Sequence, residues 1–224
     1  MKHPAQSRLS PSSSKPRDRG ASEQRLIQAV GEVLARDGFA NVGINAVAKQ
    51  AGVDKVLIYR YFGGLPELVR QWGASGRFWP DVNELMGAHP EAVLALPTSE
   101  RWAWFFDRFI DSLRSRPLTV EILASEIAAP GELSRILDVE REAWGEQVVQ
   151  LLGGPEFNSR PHLRALTLLL VVGIQMLLVR ARHTAHFSGI DVQSDAGWAL
   201  LKAALRTTSL DVLPVSAQGR ASPG

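Results

Sequence analysis

The segment from Ile44 to Phe62, INAVAKQAGVDKVLIYRYF, holds small, glycine and apolar residues at the intervals that two helices joined by a tight turn require. Ala48 lets the second helix approach, Gly52 tolerates the turn, and Val53 and Ile58 fill the angle between the helices. On the second helix Ile58 and Phe62 are four residues apart and face inward, which turns Lys55, Val56, Tyr59 and Arg60 outward. That outward face is cationic and aromatic, and suits phosphate oxygens and base edges in a major groove. The same intervals also occur in helical hairpins whose charged face meets only water.

Other chemistries are poorly represented. The chain has no cysteine, which removes disulfides, thiolate zinc sites, iron–sulfur clusters and cysteine nucleophiles. It contains no G-x-S-x-G, G-x-G-x-x-G, Walker or H-E-x-x-H pattern, and no Glu-x-x-His pair for a di-iron bundle. No catalytic residue and no cofactor is therefore expected. The one metal-like interval is His183 with His186, read here as solvated residues near the negative end of a cationic helix with Arg180 and Arg182.

The elements that must carry the Ile44–Phe62 segment read as all-α. A first helix is expected from Ser22, with Leu26, Ile27, Val30, Val33 and Leu34 on one face, ending at Asp37-Gly38. A second starts at Gly43 and ends at Gly52, a third runs from Asp54 to about Phe62, and Gly64-Pro66 opens a fourth. Residues 73–97 are interrupted by Gly and Pro, and are expected to form a linker or broken helix. Beyond it, helices are predicted from Thr98 to Arg114, from Pro117 to Ala129, from there to Gly153-Gly154, over 161–187, and from Ser194 onward. The tail over 211–224 is expected to be disordered.

At 45% hydrophobic and 21% charged residues, the chain of 224 residues can build a real core, which argues against wholesale disorder. The net charge of +2 is unevenly divided: residues 1–76 carry +5 and the rest −3, and +4 of the excess lies on residues 1–21, a basic arm expected to be disordered. That arm holds Pro4, Pro11, Pro16 and a serine run where a secretion signal would need an apolar stretch, so a cytoplasmic protein is expected. The apolar run Leu166–Val179 is 14 residues long and reads as a buried helix, not a membrane span.

Residues 22–72 resemble the N-terminal domain of the tetracycline-repressor (TetR) family of bacterial regulators. The resemblance lies in ARDGFANV at the end of the first helix, VAKQAGVDK, IYRYF, and GGLPELV at the start of the fourth. It implies a three-helix helix-turn-helix DNA-binding domain, with the motif over about 43–62, followed by a larger helical domain over 98–210 for effector binding and dimerisation. It also implies a third helix in the major groove of double-stranded DNA, with Lys55, Val56 and Tyr59 nearest the bases, Asn45 able to reach a base edge, and Arg60 and Tyr61 on phosphates. Gly43, Val56, Leu57 and Leu65 depart from the family pattern, which has Ser or Thr at position 43, a small residue at 56, Thr or Ser at 57 and often Lys at 65. Val56 and Leu57 would favour thymine methyl groups, and the basic arm would make up for lost phosphate contacts.

The resemblance further implies a homodimer through the last two helices on a palindromic operator, with repression relieved by a small-molecule effector as the commonest behaviour. The aromatic content hints at an apolar or aromatic effector, with Trp102, Phe105, Phe106, Phe109, Trp144 and Met176 as candidate lining and Gln175 as a polar anchor. The competing reading is a helical dimer that has lost operator binding and acts as an interaction protein.

Overall fold

The computed structural model describes residues 16–75, 78–128 and 130–214. Of the arm expected to be disordered over 1–21, residues 1–15 lie outside the described residues and 16–21 are instead helical; of the tail expected over 211–224, residues 215–224 lie outside them. The rest is helical: α1 (Pro16–Asp37), α2 (Ile44–Ala51), α3 (Val56–Phe62), α4 (Leu65–Gly73), α5 (Val82–Met86), α6 (Pro90–Leu94), α7 (Thr98–Arg114), α8 (Pro117–Ala128), α9 (Glu132–Leu152), α10 (Gly154–Asn158), α11 (Pro161–Ala181) and α12 (Asp195–Val212). A two-strand ladder, β1 (His186–Phe187) and β2 (Ile190–Asp191), stands between the last two helices.

The predicted face of α1 is the core of the N-terminal unit: Leu26, Val30, Val33 and Leu34 are fully buried against α2 and α4. The helix starts earlier than expected, at Pro16, because Ser22 is not its cap. Ser22 is buried inside the helix, and its hydroxyl accepts from the Arg25 guanidinium at 3.1 Å. Gly38 ends α1 with φ 70°, and the following backbone N–H of Phe39 donates to Ser125 Oγ of α8 at 3.2 Å. Residues Phe39–Asn41 form a 3-10 turn leading to α2.

The 73–97 stretch contains α5 and α6, and it contributes to the core. Phe78 and Trp79 are buried at the centre of an aromatic cluster, with Trp79 5.7 Å from Phe109 and 5.6 Å from Trp144 between ring centroids. Behind them α7 packs along α12, where Lys202 of α12 pairs with Asp107 at 3.2 Å and Asp111 at 2.7 Å. Arg101 is buried at the start of α7. Its Nε donates to the Leu96 carbonyl at 2.8 Å, and desolvation pushes its pKa down.

The most apolar helix ends at Ala181, not 187. Ser188 and Gly189, both at positive φ, turn the chain between β1 and β2. Consequently His183 lies in the turn after α11 and His186 in β1, so the two do not share a helix face. With 21 residues α11 is also longer than the 14-residue run suggested, and by length and composition alone it could cross a membrane. It is not the buried helix expected: Leu163, Thr167, Ile174 and Leu178 are buried where it lies against α7, α8 and α10, but Leu168, Leu169, Val172 and Met176 are exposed, and only 22% of its most apolar window is buried. Helix α12 continues past residue 210. Leu213 is buried and the Pro214 carbonyl accepts from the Ser99 backbone N–H at 3.0 Å.

Candidate nucleic-acid interface and ligand cavity

The turn between α2 and α3 follows from three residues. Gly52 closes α2 in the left-handed region at φ 64°, where its N–H reaches the Lys49 carbonyl at 3.2 Å. No atom lies within 4 Å of where its Cβ would be, so it is backbone angle and not space that calls for glycine. Val53 N–H then donates to the Ala48 carbonyl at 3.1 Å, and the Asp54 carboxylate accepts from Val56 N–H at 2.8 Å, satisfying a free donor at the start of α3. Ile58 and Phe62 are buried, as their spacing requires.

Lys55, Val56, Tyr59 and Arg60 form the outward face of α3; Val56 is 59% and Tyr59 56% exposed. Among the described residues neither Lys55 nor Arg60 has an acidic partner. Gly43, Asn45, Lys55 and Tyr59 line one open concavity between the start of α2 and α3. Leu57 and Tyr61 are different: both are half-buried and packed against the core, so α3 offers Val56 rather than Leu57 as its exposed aliphatic group. Gly43 caps α2 in extended conformation without a side-chain bond.

One contact to α3 had no signal in the sequence. Arg19, assigned there to the arm, lies in α1; it pairs with Glu23 at 2.8 Å and sits 5.2 Å from the Tyr61 ring centroid. Within α4, Glu67 accepts from Arg70 and Gln71, which hold its pKa down at about 2.

A cavity of about 250 Å³ opens between α7, α9 and α11. Of the candidate effector residues it brings together Trp102, Phe105 and Trp144, with Val148, Thr167 and Val171. Phe106 and Phe109 stand behind this wall as core, Phe109 stacked on Phe105 at 5.3 Å and on Trp144 at 5.7 Å. Gln175 borders an open apolar continuation of the same groove, whereas Met176 is 41% exposed. Arg164 of α11 and Glu146 of α9 form an ion pair across the cavity's lining. That pair could not be read from two ordinary charges 18 positions apart.

The cavity's wall is joined to the N-terminal unit. Helix α9 packs on α4 so closely that a Cβ on Gly73 would lie 2.8 Å from Leu137 Cδ2. Arg141 of α9 pairs with Glu126 of α8 at 2.7 Å and with Asp138, its guanidinium carbon 5.5 Å from the Phe78 ring centroid. Burial raises the Glu126 pKa against the downward pull of Arg141.

Residues 26–71 match the family model described as bacterial regulatory proteins, tetR family. No curated protein matches the sequence. Solved structures similar in fold include a TetR-like transcriptional regulator from Rhodococcus sp. RHA1, 20% identical, covering 85% of this chain and 96% of its own with a TM-score of 0.56. A TetR family transcription regulator from Marinobacter aquaeolei VT8 is 13% identical over 90% of this chain and 100% of its own, TM-score 0.59. The regulator FadR from Bacillus subtilis, solved with stearoyl-CoA, is 14% identical over 83% and 96%, TM-score 0.59. Over residues 26–71 the chain is thus similar to bacterial regulatory proteins of the tetR family, and as a whole it has the fold of those solved structures.

Proposed function

We propose that the protein is a homodimeric, sequence-specific DNA-binding transcriptional regulator, released from a palindromic operator by a small apolar ligand held between α7, α9 and α11. The observation that carries this reading is the exposed face of α3, where Lys55 and Arg60, without acidic partners among the described residues, stand beside Val56 and Tyr59. Cations without internal partners bind phosphates without breaking a bond in the protein, and Val56 and Tyr59 supply apolar and hydrogen-bonding contact to base edges.

Dimerisation is supported by α11 and α12. On α11, Leu168, Leu169, Val172 and Met176 follow one another along the outer face and are 41–69% exposed; on α12, Leu200 is 58% exposed. A face of this kind on a soluble chain calls for cover, and a second copy with two-fold symmetry provides it. The two α3 helices would then enter successive major grooves, about 34–36 Å apart. Such a regulator works in the cytoplasm, beside the DNA, and no catalytic step is assigned to it.

Release follows from linkage. A ligand between α7, α9 and α11 bears on α9, which is packed on α4 at Gly73 and tied to α8 by Arg141, while α8 holds the end of α1 through Ser125. A ligand preferring a displaced α9 lowers operator affinity by the same coupling free energy with which DNA lowers ligand affinity, typically about 1–3 kcal/mol. The test is selection of bound sites from random duplex DNA by the purified protein. An enriched palindrome is the expected result; no enrichment by folded, dimeric protein would favour an interaction protein instead.

A further inference from the structure

The start of α1 stands beside α3. Arg19 lies one turn into α1, with its guanidinium carbon 5.2 Å from the Tyr61 ring centroid and its Nε donating to Glu23 at 2.8 Å. Tyr61 directly follows Arg60, so this contact sits at the edge of the outward face of α3. Residues 1–15 join the folded unit at Pro16, about 4.5 Å along the helix axis from Arg19.

Their charge is one-sided. Lys2, Arg8 and Lys15 stand there without an acidic residue, the first of which in the chain is Asp18. Two surfaces could take these cations: the DNA that α3 faces, or acidic groups of residues 77–224, which carry −3. Position favours the first. On this side of the molecule Lys55 and Arg60 have no acidic partners among the described residues, and Glu23 is already paired with Arg19. Fifteen residues in full extension reach about 50 Å, well beyond the roughly 17 Å of half a DNA turn. Tethering at the edge of the interface also raises the effective concentration of the arm at nearby phosphates to about millimolar.

We infer that residues 1–15 lie along the DNA backbone next to the groove that α3 enters, where Lys2, Arg8 and Lys15 neutralise phosphates on each half-site. The inference rests on the proposed DNA-binding reading and extends its interface beyond the helix-turn-helix. Fluorescence anisotropy with the selected operator, from about 50 to 200 mM salt, tests it on three proteins: the full chain, a chain lacking residues 2–15, and the full-length chain carrying Lys2→Gln, Arg8→Gln and Lys15→Gln. Each phosphate neutralised on duplex DNA adds about 0.9 to the slope of log affinity against log salt, so three cations on each of two subunits add about 5. The slope should become shallower by about that amount in both variants. A change of less than about two in either variant, the worth of one phosphate per subunit, would overturn the inference. A rise in affinity on truncation would overturn it too, in favour of an arm that masks the interface by binding the chain's own acidic half. Because the slope is taken within each protein, a uniform loss of active protein in a variant leaves it unchanged. If the full chain selects no operator, the DNA-binding reading falls and this inference with it; if it selects one and the three slopes agree, only this inference falls.

Discussion

Position 43 allows the DNA-binding reading to be tested by a gain instead of a loss. Gly43 caps α2 at φ −152° and ψ 162°, the extended conformation that a side-chain cap requires, and a Cβ added there meets no atom within 4 Å. Gly43→Ser therefore introduces a hydroxyl without strain or collision. The hydroxyl oxygen can accept from a free N–H in the first turn of α2 while its hydrogen donates outward. Replacing glycine by serine at an N-cap changes stability by only a few tenths of a kcal/mol, so unfolding midpoints should barely move. A hydrogen bond to a charged phosphate oxygen is worth about 1.5 kcal/mol, roughly tenfold in affinity. Fluorescence anisotropy with the selected operator, at one fixed salt concentration, reads that gain. Gly43→Ala adds the same carbon without the hydroxyl and should show none. A neutral donor displaces no counterion, so the slope of affinity against salt should stay that of the unaltered protein. Unchanged affinity in Gly43→Ser, or an equal gain in Gly43→Ala, would remove the start of α2 from the DNA interface.

Three further outcomes are expected. Gly197→Ala sets a Cβ 1.7 Å from the Asp191 carbonyl oxygen, a backbone atom that cannot swing aside, and should cost about 3 kcal/mol or more in urea unfolding; an unchanged midpoint would refute the docking of α12 on β2. Arg141→Ala strands the Glu126 carboxylate, whose side chain is 11% exposed, and should cost about 3 kcal/mol, whereas the joint change Arg141→Met with Glu126→Leu should recover most of it. Equal losses in the single and joint variants would show that Arg141 acts only through packing. Glu67, held at a pKa of about 2 by Arg70 and Gln71, is lowered in the folded chain, so its contribution is complete above the ordinary carboxylate pKa and is lost as pH falls from about 4.5 toward 2. The stability gap between the unaltered protein and Glu67→Gln should therefore close on acidification, and a constant gap from pH 6 to pH 3 would contradict the assignment.

The N-terminal unit was legible because its determinants are local. Gly52, Gly64-Pro66 and the apolar face from Leu26 to Leu34 act within a turn or two of where they stand, and each is found in its expected conformation. Where a longer-range partner decides, the reading slipped. Ser22 is a good cap by type, yet it is buried within a helix that begins at Pro16. The helix expected over 161–187 is too long: the apolar run stops at Val179, polar residues follow it, and Ser188-Gly189 between His186-Phe187 and Ile190-Asp191 is a recognised turn signal. Phe78 and Trp79 stand among glycines and prolines with no period to betray them, and are buried only because α7 and α9 converge on them.

The candidate sites divide along the same line. Which residues of α3 face outward follows from its 3.6-residue period, and Lys55, Val56, Tyr59 and Arg60 stand where that period puts them. Which aromatic residues line a cavity depends on how α7, α9 and α11 are spaced, and no period encodes that; Trp102, Phe105 and Trp144 line it while Phe106 and Phe109, identical in type and on the same helix, do not. The ties between the two halves are more hidden still. Ser125 to Phe39 and Leu137 beside Gly73 join ordinary residues 86 and 64 positions apart, and each acts through a distance that only the folded chain defines. Such pairs carry any coupling between cavity and α3, so they are the positions at which substitution can alter the response to a ligand while leaving both sites chemically intact.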